Sequence, residues 1–238
     1  DRALSASEVL ALYNLEKPQA PAFDPSDGLI GYYPLDGNAN DLSGNSRHGT
    51  SPVGSEPIAT PNRFGQSGKA MLFDGANDWV DLNHIYLNED ISISLWAKPT
   101  DSTGNRVIFG SYYLHNGFYF SGYENNNTVY SSFANNNSQS SVQLYGDSGD
   151  FPIGNWTHVL LTHQNNVGKI YLDGSLAGTT ENTQLSTNRN PWNSVGDTLG
   201  KASWYNGRYF AGSMDDMRIY DRALSSAEIL ALYEFEKV

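Results

Sequence analysis

NWTHVLLTHQNNVGKIYLDGSLAG, Asn155 to Gly178, holds two runs rich in β-branched, aliphatic and aromatic residues, bounded by Asn, Asp and Gly. Such runs between turn-forming residues read as strands, here Thr157–His163 and Val167–Leu172. Asp173-Gly174, between KIYL and SLAG, is a two-residue hairpin turn, since both residues tolerate the positive φ that its central positions demand. The same grammar recurs outward in both directions. It predicts strands at Leu29–Leu35, Lys69–Asp74, Asp78–Leu82, Ser92–Lys98, Arg106–Ser111, Phe118–Tyr123, Thr128–Phe133, Val142–Tyr145, Asp197–Gly200 and Gly212–Tyr220. The tracts Asn125–Asn127 and Asn135–Asn137 read as hairpin loops, because Asn tolerates left-handed backbone. The reading is an all-β sandwich or barrel.

At its two ends the chain repeats itself. Asp1–Lys17 reads DRALSASEVLALYNLEK and Asp221–Lys237 reads DRALSSAEILALYEFEK, identical at 12 of 17 positions with an offset of 220 residues. A fixed period is the mark of a tandem array. Ser225–Tyr233 is predicted as a helix, with Ser225 as its cap and Glu228 at capping-box spacing; Ser5 and Glu8 repeat the pattern. Residues 1–17 are therefore expected to be the C-terminal tail of a preceding homologous domain. Residues 18–27, within the proline-rich KPQAPAFDPSDG, form an extended linker, and 28–238 form one domain.

Composition excludes several classes of partner. A net charge of −12, with 14 basic residues among 238, argues against nucleic acid, which needs a basic face, and against an anionic membrane surface. No run approaches the ~20 apolar residues of a membrane helix. There is no cysteine, so no disulfide supports the fold.

GLIGYYPLDGNANDLSGNSRHGT (Gly28–Thr50), ISISLWAKP (Ile91–Pro99), NWTHVLLT (Asn155–Thr162), GKIYLDGSLAG (Gly168–Gly178) and FAGSMDDMRIYDRALSSAEILALY (Phe210–Tyr233) resemble laminin G-like domains of the concanavalin A-like lectin/glucanase superfamily. The resemblance implies a two-sheet antiparallel jelly roll whose first and last strands pair, with the short C-terminal helix closing one end. It also implies a calcium site. From the residues, Asp36, Asn38, Asn40 and Asp41 cluster in one loop, and Asp215-Asp216 lie in the strand expected beside it. Oxygen donors without thiols suit a hard cation such as Ca²⁺. The expected set is Asp36, Asp41 and Asp216 as carboxylate ligands, Asp215 as second choice, and Asn38 and the His48 region as carbonyl or amide donors. The alternative is that these are turn residues satisfying their own backbone.

Glycan hydrolysis needs two acids flanking the sugar bond. The Glu-x-Asp-x-Glu strand of the related glucanases is missing, and the nine glutamates form no poised pair, so no enzyme is expected. Binding is favoured instead. Aromatic content is 13%, with 15 tyrosines, and loop rings beside polar donors suit the flat C–H faces and hydroxyls of a sugar. Candidate ligand residues are Tyr112, Tyr113, His115 and Asn116, then Trp192, Trp204, Tyr205 and Arg208, with Tyr123, Tyr130 and Tyr145 on neighbouring strands. Trp96 and Trp156 read as packing residues. The expected function is a non-catalytic, lectin-like carbohydrate-binding module with a structural Ca²⁺, in a multidomain secreted or cell-surface protein of bacterial type. Its partners would be a glycan and neighbouring homologous domains. The second reading is a structural or adhesive spacer repeat, or a protein-binding module, of a large bacterial surface protein.

Overall fold

The computed structural model describes residues 2–9, 12, 23–83, 85, 90–101, 106–112, 118–123, 128–134, 141–145, 149–181, 183, 195–202 and 207–238. For 112, 118–123, 132–134, 141–145 and 195 the description is of the backbone. The strands, in chain order, are β1 (Leu29–Tyr33), β2 (Ile58–Thr60), β3 (Ala70–Asp74), β4 (Val80–Asp81), β5 (Ile91–Pro99), β6 (Arg106–Tyr112), β7 (Phe118–Tyr123), β8 (Thr128–Ala134), β9 (Ser141–Tyr145), β10 (Thr157–Gln164), β11 (Val167–Leu172), β12 (Ser175–Glu181), β13 (Val195–Leu199) and β14 (Ala211–Tyr220).

They form two antiparallel sheets. The first runs β12-β11-β10-β5-β14-β3-β2, with β1 also pairing β14; the second runs β4-β13-β6-β7-β8-β9. As expected, the first and last strands of the jelly roll are partners. Every predicted strand is present; β2 carried no signal in the sequence, and β12 none beyond the hairpin turn that leads into it. Both lie at sheet edges and are largely exposed, so backbone pairing makes them while side-chain burial does not.

Alternation sets the core. Ile93, Leu95, Val159, Leu161, Ile170 and Ile219 of the first sheet face Val80, Ile108, Phe109, Val129 and Leu199 of the second in one buried cluster. The opposite face of the first sheet is buried too, because the C-terminal helix, Ser226–Glu236, lies across it. Ser225 caps this helix and Glu228 closes the capping box, as the sequence predicts. Leu224, Ile229 and Leu232 pack on Leu160, Tyr171 and Tyr220. The predicted Asp173-Gly174 turn has φ of 47° and 77°, and a Cβ on Gly174 would sit 3.1 Å from Leu230 and Tyr233 of the helix. Glycine thus serves both the turn and the helix approach.

Candidate functional site

The loop and strand expected to hold a cation come together, but their oxygens are spent on the protein itself. β14 pairs β3 through residues 211–214 and β1 through 217–220, and the switch falls at Asp215-Asp216, where Asp216 takes φ 48° in a bulge against β5. Arg63 reaches between the two carboxylates, at 2.5 Å from Asp215 and 2.8 Å from Asp216, and also donates to the Glu236 carbonyl. Asp216 further accepts from the Tyr32 hydroxyl at 2.9 Å. Burial first, and the Asp216 charge next, push the Asp215 carboxyl up to about 7 despite Arg63.

Asp41 is nearly buried and accepts backbone N–H groups of Tyr32, Ser43 and Arg47 at 2.9–3.0 Å. Burial raises its pKa, but these donors together outweigh it and the net direction is down. The Asp41 N–H donates to His48 Nδ1, Asn38 caps its own turn by accepting from the Asn40 N–H, and Asp36 pairs with Lys69 at 2.6 Å. Among the described residues no three His, Asp or Glu side chains converge to hold a metal. As arranged, the set does not fit a cation: Arg63 occupies the charge position that the expectation gave to calcium. No sequence pattern had singled out Arg63.

Beside this ion-pair cluster, under the helix, lies a buried polar group. Glu236 accepts from Trp96 Nε1 at 2.9 Å and pairs with Arg218. His158 Nε2 lies 2.8 Å from Ser94 Oγ and 3.5 Å from Glu236. That spacing would suit an imidazolium, yet burial first, then the Arg218 and Arg63 charges, push His158 down to about 3, so it is neutral. Tyr233 stacks on Trp96 with ring centroids 5.8 Å apart. These residues lock the helix to the sheet. Glu236 has its equivalent in Glu16 of the N-terminal repeat, a signal that sequence reading had in hand.

Strand register separates Tyr112 from Tyr123, Tyr145 and Arg208 along the second sheet. Val195 pairs Tyr112 and Ser111 pairs Phe118, so Tyr112 lies at one end of β6. Arg106 pairs Gly122, and Val107 bridges Tyr209, so Tyr123, Tyr145 and Arg208 belong toward the other. Five residue steps along β6 take Val107 to Tyr112, roughly 17 Å. Tyr113, His115, Asn116, Trp192, Trp204 and Tyr205 themselves lie outside the described residues. Tyr130 is only 3% exposed and offers no ring to a ligand.

At the Val107 end a group appears that the sequence reading missed. The half-buried Trp79, next to β4, has Lys201 Nζ over its ring at 4.2 Å, and the same Nζ lies 5.9 Å from the centre of the Tyr209 ring. Burial lowers the Lys201 pKa, opposed by the charge of Asp81. Half-buried Arg208 adjoins Tyr209 in the chain, and Arg106 donates to the Tyr209 and Gly75 carbonyls, fixing this corner. Trp79 had been absorbed into a predicted strand, where nothing marked it as part of a rim.

A laminin G-type family model of the concanavalin A-like lectin/glucanases superfamily matches residues 74–230. The chain belongs to this family. No curated protein matches it by sequence. Among solved structures, this laminin G-like chain is similar to domain 4 of AbnA, a GH43 extracellular arabinanase from Geobacillus stearothermophilus, in complex with arabinotriose. That match has 22% identity and a TM-score of 0.64 and covers 86% of this chain and 98% of that one. It is also similar to the binding domain of botulinum neurotoxin serotype D, at 18% identity and TM-score 0.64, covering 89% of this chain and 51% of that one. The receptor-binding domain of botulinum neurotoxin type G gives 17%, 0.63, 88% and 52%. The laminin G-like chain thus spans about half of each toxin domain. At these identities the likeness is one of fold. Among the described residues no helix is long and apolar enough to cross a membrane.

Proposed function

We propose that this domain is a non-catalytic carbohydrate-binding module of a multidomain secreted or cell-surface protein. The observation that carries the reading is the rim of Trp79, Tyr209, Lys201 and Arg208, where rings and cationic donors share one corner of the second sheet. Rings stack on sugar C–H faces while ammonium and guanidinium groups bind hydroxyls. The arabinanase domain, whose length the chain covers almost completely and which was solved with arabinotriose, supports a saccharide as ligand. What supports a non-catalytic reading is the sequence, which has no strand carrying Glu-x-Asp-x-Glu.

The test is a glycan array on the full chain, in calcium and in chelator, with arabino-oligosaccharides included, followed by calorimetry on any hit. Binding that weakens about tenfold in Trp79→Ala, about 1.4 kcal/mol, fits the rim. The chelator arm reads the calcium expectation: an ion at Asp36, Asp41 and Asp216 must first displace Arg63, so calcium-dependent melting or binding shows that it does. A folded chain that binds no saccharide in either condition removes the proposal. It would leave the second reading, an adhesive or spacer repeat, which the 12-of-17 duplication of the chain ends favours.

A further inference from the structure

We propose that residues 2–16 are a second key for the dock that holds the C-terminal helix, and that the partner of this segment is that dock on another copy of the domain. The dock is a built site on the outer face of the first sheet. Leu160, Tyr171 and Tyr220 receive Leu224, Ile229 and Leu232; Trp96 stacks Tyr233; and Trp96, Arg218 and His158 surround Glu236. Each group that enters it has a counterpart 220 residues earlier: Leu4, Val9, Leu12, Tyr13 and Glu16. Only Val9 for Ile229 differs, by one methylene.

The capped start of the key, residues 2–9, has the same local fold in both copies. Ser5 and Glu8 form a capping box with bonds of 3.3 and 2.8 Å, against 3.3 and 2.7 Å for Ser225 and Glu228. Arg2 pairs with Glu8 as Arg222 pairs with Glu228. What differs is the cover. Leu224, Ile229 and Leu232 are at most 4% exposed, whereas Leu4, Val9 and Leu12 are 49%, 53% and 42% exposed. The hydrogen bonds and ion pair described for residues 2–9 all stay within that segment. Leu4, Val9 and Leu12 are thus left uncovered, in a segment whose sequence matches the key of one site in this molecule.

The test uses the full chain carrying Leu12→Ala and Leu232→Ala, which weakens both resident keys, and a labelled peptide of residues 1–17. The peptide should bind this variant at least about tenfold more tightly than the parent, whose dock is filled, and a peptide carrying Leu12→Ala and Glu16→Ala should lose that gain. Failure of the 1–17 peptide where a 221–237 peptide binds overturns the proposal. If the double variant does not fold, the parent carrying S226A, A227S, I229V, E234N and F235L decides, because these five changes put the N-terminal key into the intact dock. A melting temperature within about 3 °C of the parent supports interchange, and a drop of more than about 10 °C overturns it.

Discussion

At the scale of single residues, one buried carboxylate and one buried imidazole govern how the helix is held. Glu236 is 3% exposed and satisfies Trp96 and Arg218 together. Glu236→Ala leaves a guanidinium and an indole N–H buried without it, and should cost about 3 kcal/mol in urea melts, with Glu236→Gln retaining part of that. His158 is neutral when folded, with a pKa near 3 against 6.5 in the unfolded chain. The unfolded state therefore takes up the proton first, and stability from this group falls as pH drops from about 6.5 toward 3, by at most about 1.4 kcal/mol per pH unit. Asp215, raised to about 7 from 3.8, acts in the opposite sense: the folded state binds the proton first, so stability rises as pH falls through that window. Between about pH 4 and 6.5 the two oppose each other. Relative to the parent, His158→Gln should become more acid-tolerant and Asp215→Asn less so, read from urea midpoints across that range; equal slopes in all three proteins would refute the assignment.

At the scale of elements, the strands that pack on both sides were the legible ones. ISISLWAKP alternates because Ile93, Leu95 and Ala97 face the core while Ser92, Ser94 and Trp96 face the helix. The alternation announced a strand and could not announce that its polar face is covered as well. Beyond the Asp173-Gly174 turn that announces a hairpin, β12 was illegible for the converse reason: an edge strand is made by backbone pairing and needs no buried pattern. The hairpin that leads into it ties sheet to helix. Gly174→Ala meets both a positive φ and the helix side chains, and should destabilise by about 1–3 kcal/mol. Leu232→Ala, which empties a fully buried site between helix and sheet, should cost about 2–5 kcal/mol. A Gly174→Ala melt indistinguishable from the parent would show that the helix is not seated against this turn.

At the scale of the whole molecule, the hydrogen bonds and ion pair described for residues 2–9 tie that segment only to itself. Removing residues 1–12 should leave the melting temperature within about 2 °C, because the hydrogen bonds described there are internal to the segment; a larger loss would mean that the segment is part of this domain's fold. The sequence by itself determined the sandwich, the family, the capped helix and the duplicated ends, because alternation, turn chemistry and caps are local and are written along the chain. It also brought Asp36–Asp41 and Asp215-Asp216 to one place. Only the tertiary structure decided what those carboxylates do, since Arg63 comes from a loop about 150 residues before Asp215 and Asp216 and no local pattern records that meeting. The same holds for the Trp79, Lys201 and Tyr209 rim and for the separation of Tyr112 from Arg208. Register across β6 and β13 sets those distances, and register is fixed by packing of the whole sheet.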